Sequence, residues 1–416
     1  MSYLKIGTFD GTESWEQRGR SISMNDTGTI IAVGSNENSN YDGSVDVLEW
    51  KLDGVTDTWQ QKGTTIVGTT SSEYLGSATS LNADGNVLAV GSKGTDSVAV
   101  YEWDGAGWSI KGAAIVSNDT SNTFGTSISL NDQGNILVIS SVTFTEVYEW
   151  RLDGLTDSWQ QKGIRIEFGV SNSYTQGSDI NADGTIVAIG LSTAMSESHA
   201  NGNVQIFEWR LDGLTDSWQQ KGTTIIGDGW RDNFGISVSL SSSGDIIAVG
   251  APNDDDGGSN AGHIRVYEWR LDGQTDSWQQ KGHDIDGLNA YDNAGFSVSL
   301  SSDGAIVAAG AMGYDNPPAA NSDNTGIILI YEWGLDGSSD SWQEKSQILG
   351  ESPGDRLGMV STMNGSGTII AGGSTQNTSY TGIARVYSEN GSLPSSSSGS
   401  SNTSAASVGD PYIICF

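Results

Sequence analysis

One cysteine in 416 residues, Cys415, excludes an internal disulfide framework. Histidine is almost as scarce. His199, His263 and His283 have no metal-ligand spacing with one another or with Cys415, so no histidine-based metal centre is expected. Basic side chains number 19 against 51 acidic ones, a formal net charge of −32. A chain with no basic stripe has nothing to hold a phosphate backbone, and nucleic acid is excluded as a partner. The charge favours solubility and cationic partners, and it equally suits a high-salt or marine solvent. No apolar run reaches membrane-spanning length, so no membrane insertion is expected. The opening MSYLKIGTFDG lacks the basic-then-apolar pattern of a signal segment, and export by a standard signal is not expected. P-loop and G-x-S-x-G motifs are absent.

What the chain has in abundance is a repeat. In residues 235–282, Ile236, Val238 and Leu240 alternate with serines, as in a strand. A turn at Ser243-Gly244 leads into the short apolar run Ile246 to Val249, then a third strand ending at Trp269 and a fourth from Trp278. Four antiparallel strands make a small sheet with two apolar faces, which needs copies of itself to bury both. The copies open at Gly19, Gly76, Gly125, Gly177, Gly235, Gly295 and Gly358. Third strands end at Trp50, Trp103, Trp150, Trp209, Trp269 and Trp333. A period of roughly 50 to 60 residues with four strands per repeat predicts an all-β, seven-bladed β-propeller.

The seventh blade lacks its fourth strand at the C-terminal end. Lys5, Phe9, Gly11 and Gly19 reproduce the spacing that surrounds the fourth strand elsewhere, as at Lys62, Ile66, Gly68 and Gly76. Residues 2–9 are therefore expected to be the outer strand of blade seven, closing the ring and covering the edges an open array would expose. The propeller is expected to occupy residues 1–391. Residues 392–416, a Ser-rich linker ending in VGDPYIICF, are expected to be a flexible tail with a short apolar terminus.

The hairpins between first and second strands are uniform (NDTG, NADG, NDQG, NADG, SSSG, SSDG, NGSG), as are the LDG-x-TDS turns between third and fourth. Variation concentrates on the other rim, in the second-to-third loops and inter-blade segments. Binding residues gather on loops held by a rigid scaffold. This rim, centred on blades four to six, is the expected ligand face, with Trp230, Arg231, Asp232, Tyr291 and Asp292 as candidate ligand-binding residues. The run Asp254, Asp255, Asp256, with Asn253 and Asn260 nearby, is the candidate metal group; calcium is the cation it would take, and no other cofactor is indicated.

Phe234-Gly235 and Gly250-Ala251-Pro252 in blade five resemble the FG-GAP repeat of integrin alpha-subunit heads and many bacterial and algal surface proteins. Blade three keeps Phe124-Gly125 and blade six Gly310-Ala311. The resemblance implies a seven-bladed propeller used for recognition. The family's calcium loop between first and second strands is replaced by short NADG-type hairpins, so calcium at that loop is not carried over. The third-to-fourth turns also resemble the Asp-box of sialidases, a structural hairpin; Arg151, Arg210 and Arg270 lie beside the outer tryptophans, at the wrong radius for a sialidase site.

These features support a non-enzymatic binding or adhesion module recognising a glycan or protein ligand. Two alternatives stand beside it. One is a glycan-active hydrolase using carboxylates in the central pocket; the other is a structural attachment protein of a virion or cell-surface fibre. An extracellular or virion-surface location fits this group of readings, while the single cysteine is compatible with the cytosol.

Overall fold

The computed structural model describes residues 2–391 apart from residue 14 and segments 38–39, 52–56, 119–122, 153–156, 169–172, 194–200, 212–215, 272–275, 317–322, 336–339 and 376–380. The expected Ser-rich tail and most of the LDG-x-TDS turns lie outside the described residues. Seven antiparallel sheets follow one another along the chain. Blade five is representative: Ser237–Leu240, Ile246–Ala251, His263–Arg270 and Ser277–Gln280, ordered from axis to periphery. No helix is present among the described residues, and so none is long and apolar enough to cross a membrane.

The second strands explain the architecture. Ile30–Ser35, Val87–Ser92, Ile306–Ala311 and Ile369–Ser374 are buried at every residue. Neither face of such a strand meets water, because each blade packs against a neighbour on both sides. The apolar core is accordingly divided into seven clusters, one at each junction between adjacent blades. Close approach demands glycine here. A Cβ at Gly190 would collide with the carbonyl oxygen of Gly235, whose own φ is +92°.

The ring closes as the spacing predicts, with Tyr3–Asp10 pairing antiparallel with Ile383–Glu389. The alignment of Lys5 differs by one residue. Phe9 opposes Ala384 as Ile66 opposes Val45, but Lys5 opposes Tyr387 as Gln61, not Lys62, opposes Leu48. A bulge between Lys5 and Gly7 absorbs the difference. In blades one to five the outer strand is itself split, for example into Thr58–Gln61 and Ile66–Val67.

That split creates a clasp between blades. At the break, Lys62 turns inward and its ammonium lies 4.7 Å from the ring centroid of Trp103 in the next blade. The Lys62 carbonyl oxygen accepts a 2.9 Å bond from Trp108 Nε1. The same pair of contacts joins Lys111 to Trp150 and Trp159, Lys162 to Trp209 and Trp218, Lys221 to Trp269 and Trp278, and Lys281 to Trp333 and Trp342. In each of blades one to six the two indoles meet edge-on or tilted, with centroids 5.3–5.5 Å apart. Burial lowers the Lys62 pKa, and the Glu49 carboxylate partly offsets this. Each cation–π contact contributes about 0.5–2 kcal/mol. Blade seven has Glu389 where the others have tryptophan, and there the buried Lys345 forms an ion pair with Glu389 at 3.3 Å.

The uniform hairpins have a structural task that their repetition alone did not reveal. One amide in each donates to a carbonyl oxygen of the next blade's hairpin: Asp26 to Ala83, Ala83 to Asp132, Asp132 to Ala182, Ala182 to Ser242, Ser242 to Ser302, Ser302 to Gly365, and Gly365 back to Asp26. These seven bonds, 2.8–3.2 Å long, form an unbroken ring around the axis. The Asn or Ser that opens the hairpin supports it from below; Asn25 Oδ1, for instance, accepts the amides of Thr29 and Ile30.

Candidate functional site

The opposite rim is built on a recurring turn between blades. Its centre is an acidic residue whose side chain folds back under the turn. Glu16 accepts the amides of Thr12 and Glu13, Glu73 those of Thr69 and Thr70, and Asp355 those of Glu351 and Ser352. Asp292 accepts the amide of Asn289 at 2.8 Å. Asp232 occupies the same position and takes the amide of Gly229. Asp232 and Asp292 are thus buried beneath the rim, 4% and 2% exposed. Burial raises both carboxyls to about 6, helped at Asp232 by the neighbouring Asp254.

The residue before each of these acids has left-handed backbone: Trp15 (φ 69°), Ser72 (63°), Arg231 (71°), Tyr291 (70°) and Gly354 (79°). So has the residue after it, as at Asn233 and Asn293 (both 57°). Non-glycine residues in this region cost about 1–3 kcal/mol, and they persist where surrounding bonds over-determine them. The capping carboxylate provides those bonds. The result is a set of rigid platforms that turn large side chains outward: Trp15 is 56% exposed, Trp230 56% and Tyr291 64%. The Arg231 guanidinium lies 4.2 Å from the Trp230 ring centroid, holding that indole in place. Of the sequence-derived ligand residues, Trp230 and Tyr291 stand on the surface, and Asp232 and Asp292 are their supports.

The central cavity opens on this rim with a volume of about 430 Å³. Its wall is made of first-strand residues such as Ser21, Ser77, Ser127, Ser237 and Ser297 alternating with Ile22, Ile128, Val238 and Val298. Among the described residues Arg20 is its one charged lining residue, and no carboxylate lines it. Carboxylates near the axis, Asp26, Asp132 and Asp179, lie toward the narrow mouth beside the ring of amides. Asp179 stands where blade seven has Thr362 and the other blades have serine. It accepts Ser129 Oγ, the Leu240 amide and its neighbour Ile180's amide, and burial raises its pKa.

Blade five concentrates charge. The three candidate metal-binding aspartates do not converge. Asp255 is exposed and caps the Asn260 amide, and Asp256 is exposed. Asp254 is 3% exposed and points inward, its Oδ1 3.1 Å from Nδ1 of His263. His263, set aside on spacing alone, is 1% exposed and sits in the middle of a carboxylate group. It is cross-strand from Asp286, and one of its ring nitrogens lies within 4.8 Å of Asp284 and Asp286 oxygens. Two strand residues away, the buried Arg265 donates to Asp284 and Asp228. Burial works against the Arg265 charge, but the two carboxylates more than offset it and its pKa rises. Arg385 plays the matching part in blade seven, donating to Asp355 at 2.8 Å. Both arginines occupy the third-strand position that holds Asp46, Glu146 and Gln205 in other blades, so the alternation of the strand carries no signal for them.

A family model described as FG-GAP repeat matches residues 218–267, from the outer strand of blade four into the third strand of blade five. No curated protein shows a significant match. Among solved structures, Kuenenia stuttgartiensis hydrazine synthase superposes with a TM-score of 0.55 at 14% identity, covering 91% of this chain and 97% of that one. The β-propeller domain of Cps50 (Swd1) from Myceliophteria thermophila gives a TM-score of 0.55 at 12% identity, covering 92% and 99%. Chaetomium thermophilum Raptor gives a TM-score of 0.58 at 12% identity; 93% of this chain aligns with 28% of that one. At such identities the likeness is one of fold. Together with the repeat match in blade five, it makes this chain an FG-GAP-like seven-bladed propeller.

Proposed function

We propose that this FG-GAP-like propeller is a non-enzymatic binding module that recognises a glycan or protein ligand through the rim formed by its inter-blade turns. One observation carries the reading: the rim holds non-glycine residues in left-handed backbone over buried carboxylates, and these turns lift Trp15, Trp230 and Tyr291 into solvent. Strained, over-determined backbone of this kind is a mark of functional surface. Rigid aromatics offer flat contact area at low conformational cost. Trp230 presents its ring beside the charged Arg231, a pairing of apolar and polar surface that suits the alternating faces of a sugar. The opposite rim has its amides committed to the closing ring.

The hydrolase alternative finds less support. Among the described residues the cavity has no carboxylate pair to act as acid and base, and Asp179 is engaged by three donors. A glycan array and a protein-binding screen on residues 1–391 test the proposal. Saturable binding that depends on Trp230 and Tyr291 supports it. Turnover of a glycan substrate that survives loss of both residues refutes it.

A further inference from the structure

His263 presents a problem that the binding rim does not solve. It is 1% exposed, and neither ring nitrogen makes a hydrogen bond. The Nδ1 contact to Asp254 Oδ1 is 3.1 Å long but lies off hydrogen-bonding geometry. Buried imidazole nitrogens without partners are costly, about 1–3 kcal/mol for each unmet group. The second-to-third loop supplies Asp254 on one side. The short outer piece Ile285–Asp286 and its preceding residue Asp284 supply two more carboxylates on another.

We propose that His263, Asp284 and Asp286 bind a divalent first-row transition-metal ion of the zinc or manganese class. The three donor atoms already lie within 4.8 Å of one another, the span of a coordination sphere before its ligands close on an ion. An imidazole nitrogen with two carboxylate oxygens suits zinc or manganese; calcium takes an all-oxygen shell. Asp254 Oδ1, 3.1 Å from Nδ1, is placed to accept the Nδ1–H after a small rotation of the ring and so to orient the imidazole on an ion. Arg265 and Gln280 already hold Asp284, donating to Oδ2 and Oδ1, so its remaining lone pairs are fixed in direction. The nearby Arg265 guanidinium competes for Asp284 and lowers affinity. Asp286 is exposed and provides the route of entry. An ion here ties the third strand of blade five to its outer strand, independently of whether the rim binds a glycan or protein.

The test uses the full chain, stripped with chelator and desalted. Calorimetric titrations with zinc, manganese and calcium chlorides are run at physiological ionic strength. One saturable site for zinc or manganese is expected, with calcium binding much more weakly. Asp286→Asn, a change at an exposed residue, should weaken that site by at least about tenfold while leaving the metal-free melting temperature unchanged. His263→Gln should remove it, and its melting curve shows whether the variant folds. The proposal is overturned if no saturable site appears, if calcium binds equally well, or if Asp286→Asn binds as the parent does; the last result would assign the uptake to scattered surface carboxylates.

Discussion

Gly222 measures the clasp between blades. It follows Lys221 with φ +79°, and a Cβ there would stand 2.7 Å from Cζ3 of Trp269 and 3.1 Å from Cδ1 of Trp278. Gly222→Ala therefore imposes two penalties. Left-handed backbone with a side chain costs about 1–2 kcal/mol. Displacing an indole pair that is packed against Lys221 and bonded to its carbonyl oxygen costs about 1–3 kcal/mol more. Two other glycines separate these terms. Gly105 has φ +97° but nothing within 4 Å of the added Cβ, so Gly105→Ala carries the strain alone. Gly107 has neither, and Gly107→Ala should be neutral or stabilise by up to about 1 kcal/mol through the unfolded chain. Urea unfolding followed by tryptophan fluorescence should give midpoints in the order Gly107→Ala at or above the parent, then Gly105→Ala, then Gly222→Ala. A Gly222→Ala midpoint equal to that of Gly105→Ala would show that the indole pair yields freely and that the clasp does not hold adjacent blades.

Deleting residues 1–10 removes the strand that pairs with Ile383–Glu389 and should abolish the cooperative thermal transition or cause aggregation; an unchanged melt would contradict closure by the N-terminal strand. Asp292 titrates near 6 when folded, so the native state holds more protons than the unfolded chain between about pH 4 and 6. Its contribution to stability therefore declines as pH rises through that window, and the melting-temperature advantage of the parent over Asp292→Asn should shrink from pH 4 to 7; a constant difference would refute the assignment. Asp179→Ser restores the residue that in blades two, five and six accepts the next blade's amide through Ser80, Ser239 and Ser299. It removes a buried carboxyl group whose ionisation burial opposes and should raise the melting temperature at neutral pH, whereas a fall would show that the second carboxyl oxygen, which Ser129 reaches, matters more.

The fold was legible because the repeat is strong at every level. Alternation placed the first strands, apolar runs the second, and the tryptophans the third and fourth, so blade count and ring closure followed. The one-residue misplacement of Lys5 arose because a bulge changes pairing without changing the spacing from Phe9 to Gly11. The rim was legible as a location. Its logic was not, since nothing in a string of letters shows that Asp232 and Asp292 point inward while Trp230 and Tyr291 point out. That division depends on the paired left-handed residues around each acid. His263 was invisible for a different reason. Its partners Asp254, Asp284 and Asp286 come from a loop and a neighbouring strand, and only the cross-strand register brings them together. The closing ring of amides belongs to the backbone and leaves no side-chain signature.

Ligand binding by the rim of inter-blade turns is tested most directly by the binding isotherm of Trp230→Ala/Tyr291→Ala against the first glycan or protein captured by the screen. Gln133→Ala, an exposed change in a hairpin of the opposite rim, serves as control. The double variant should lose at least about 2 kcal/mol of binding free energy with its melting temperature unchanged, and the control should bind as the parent does. Full binding by the double variant, or loss of binding in the control, would place the ligand elsewhere and contradict the claim.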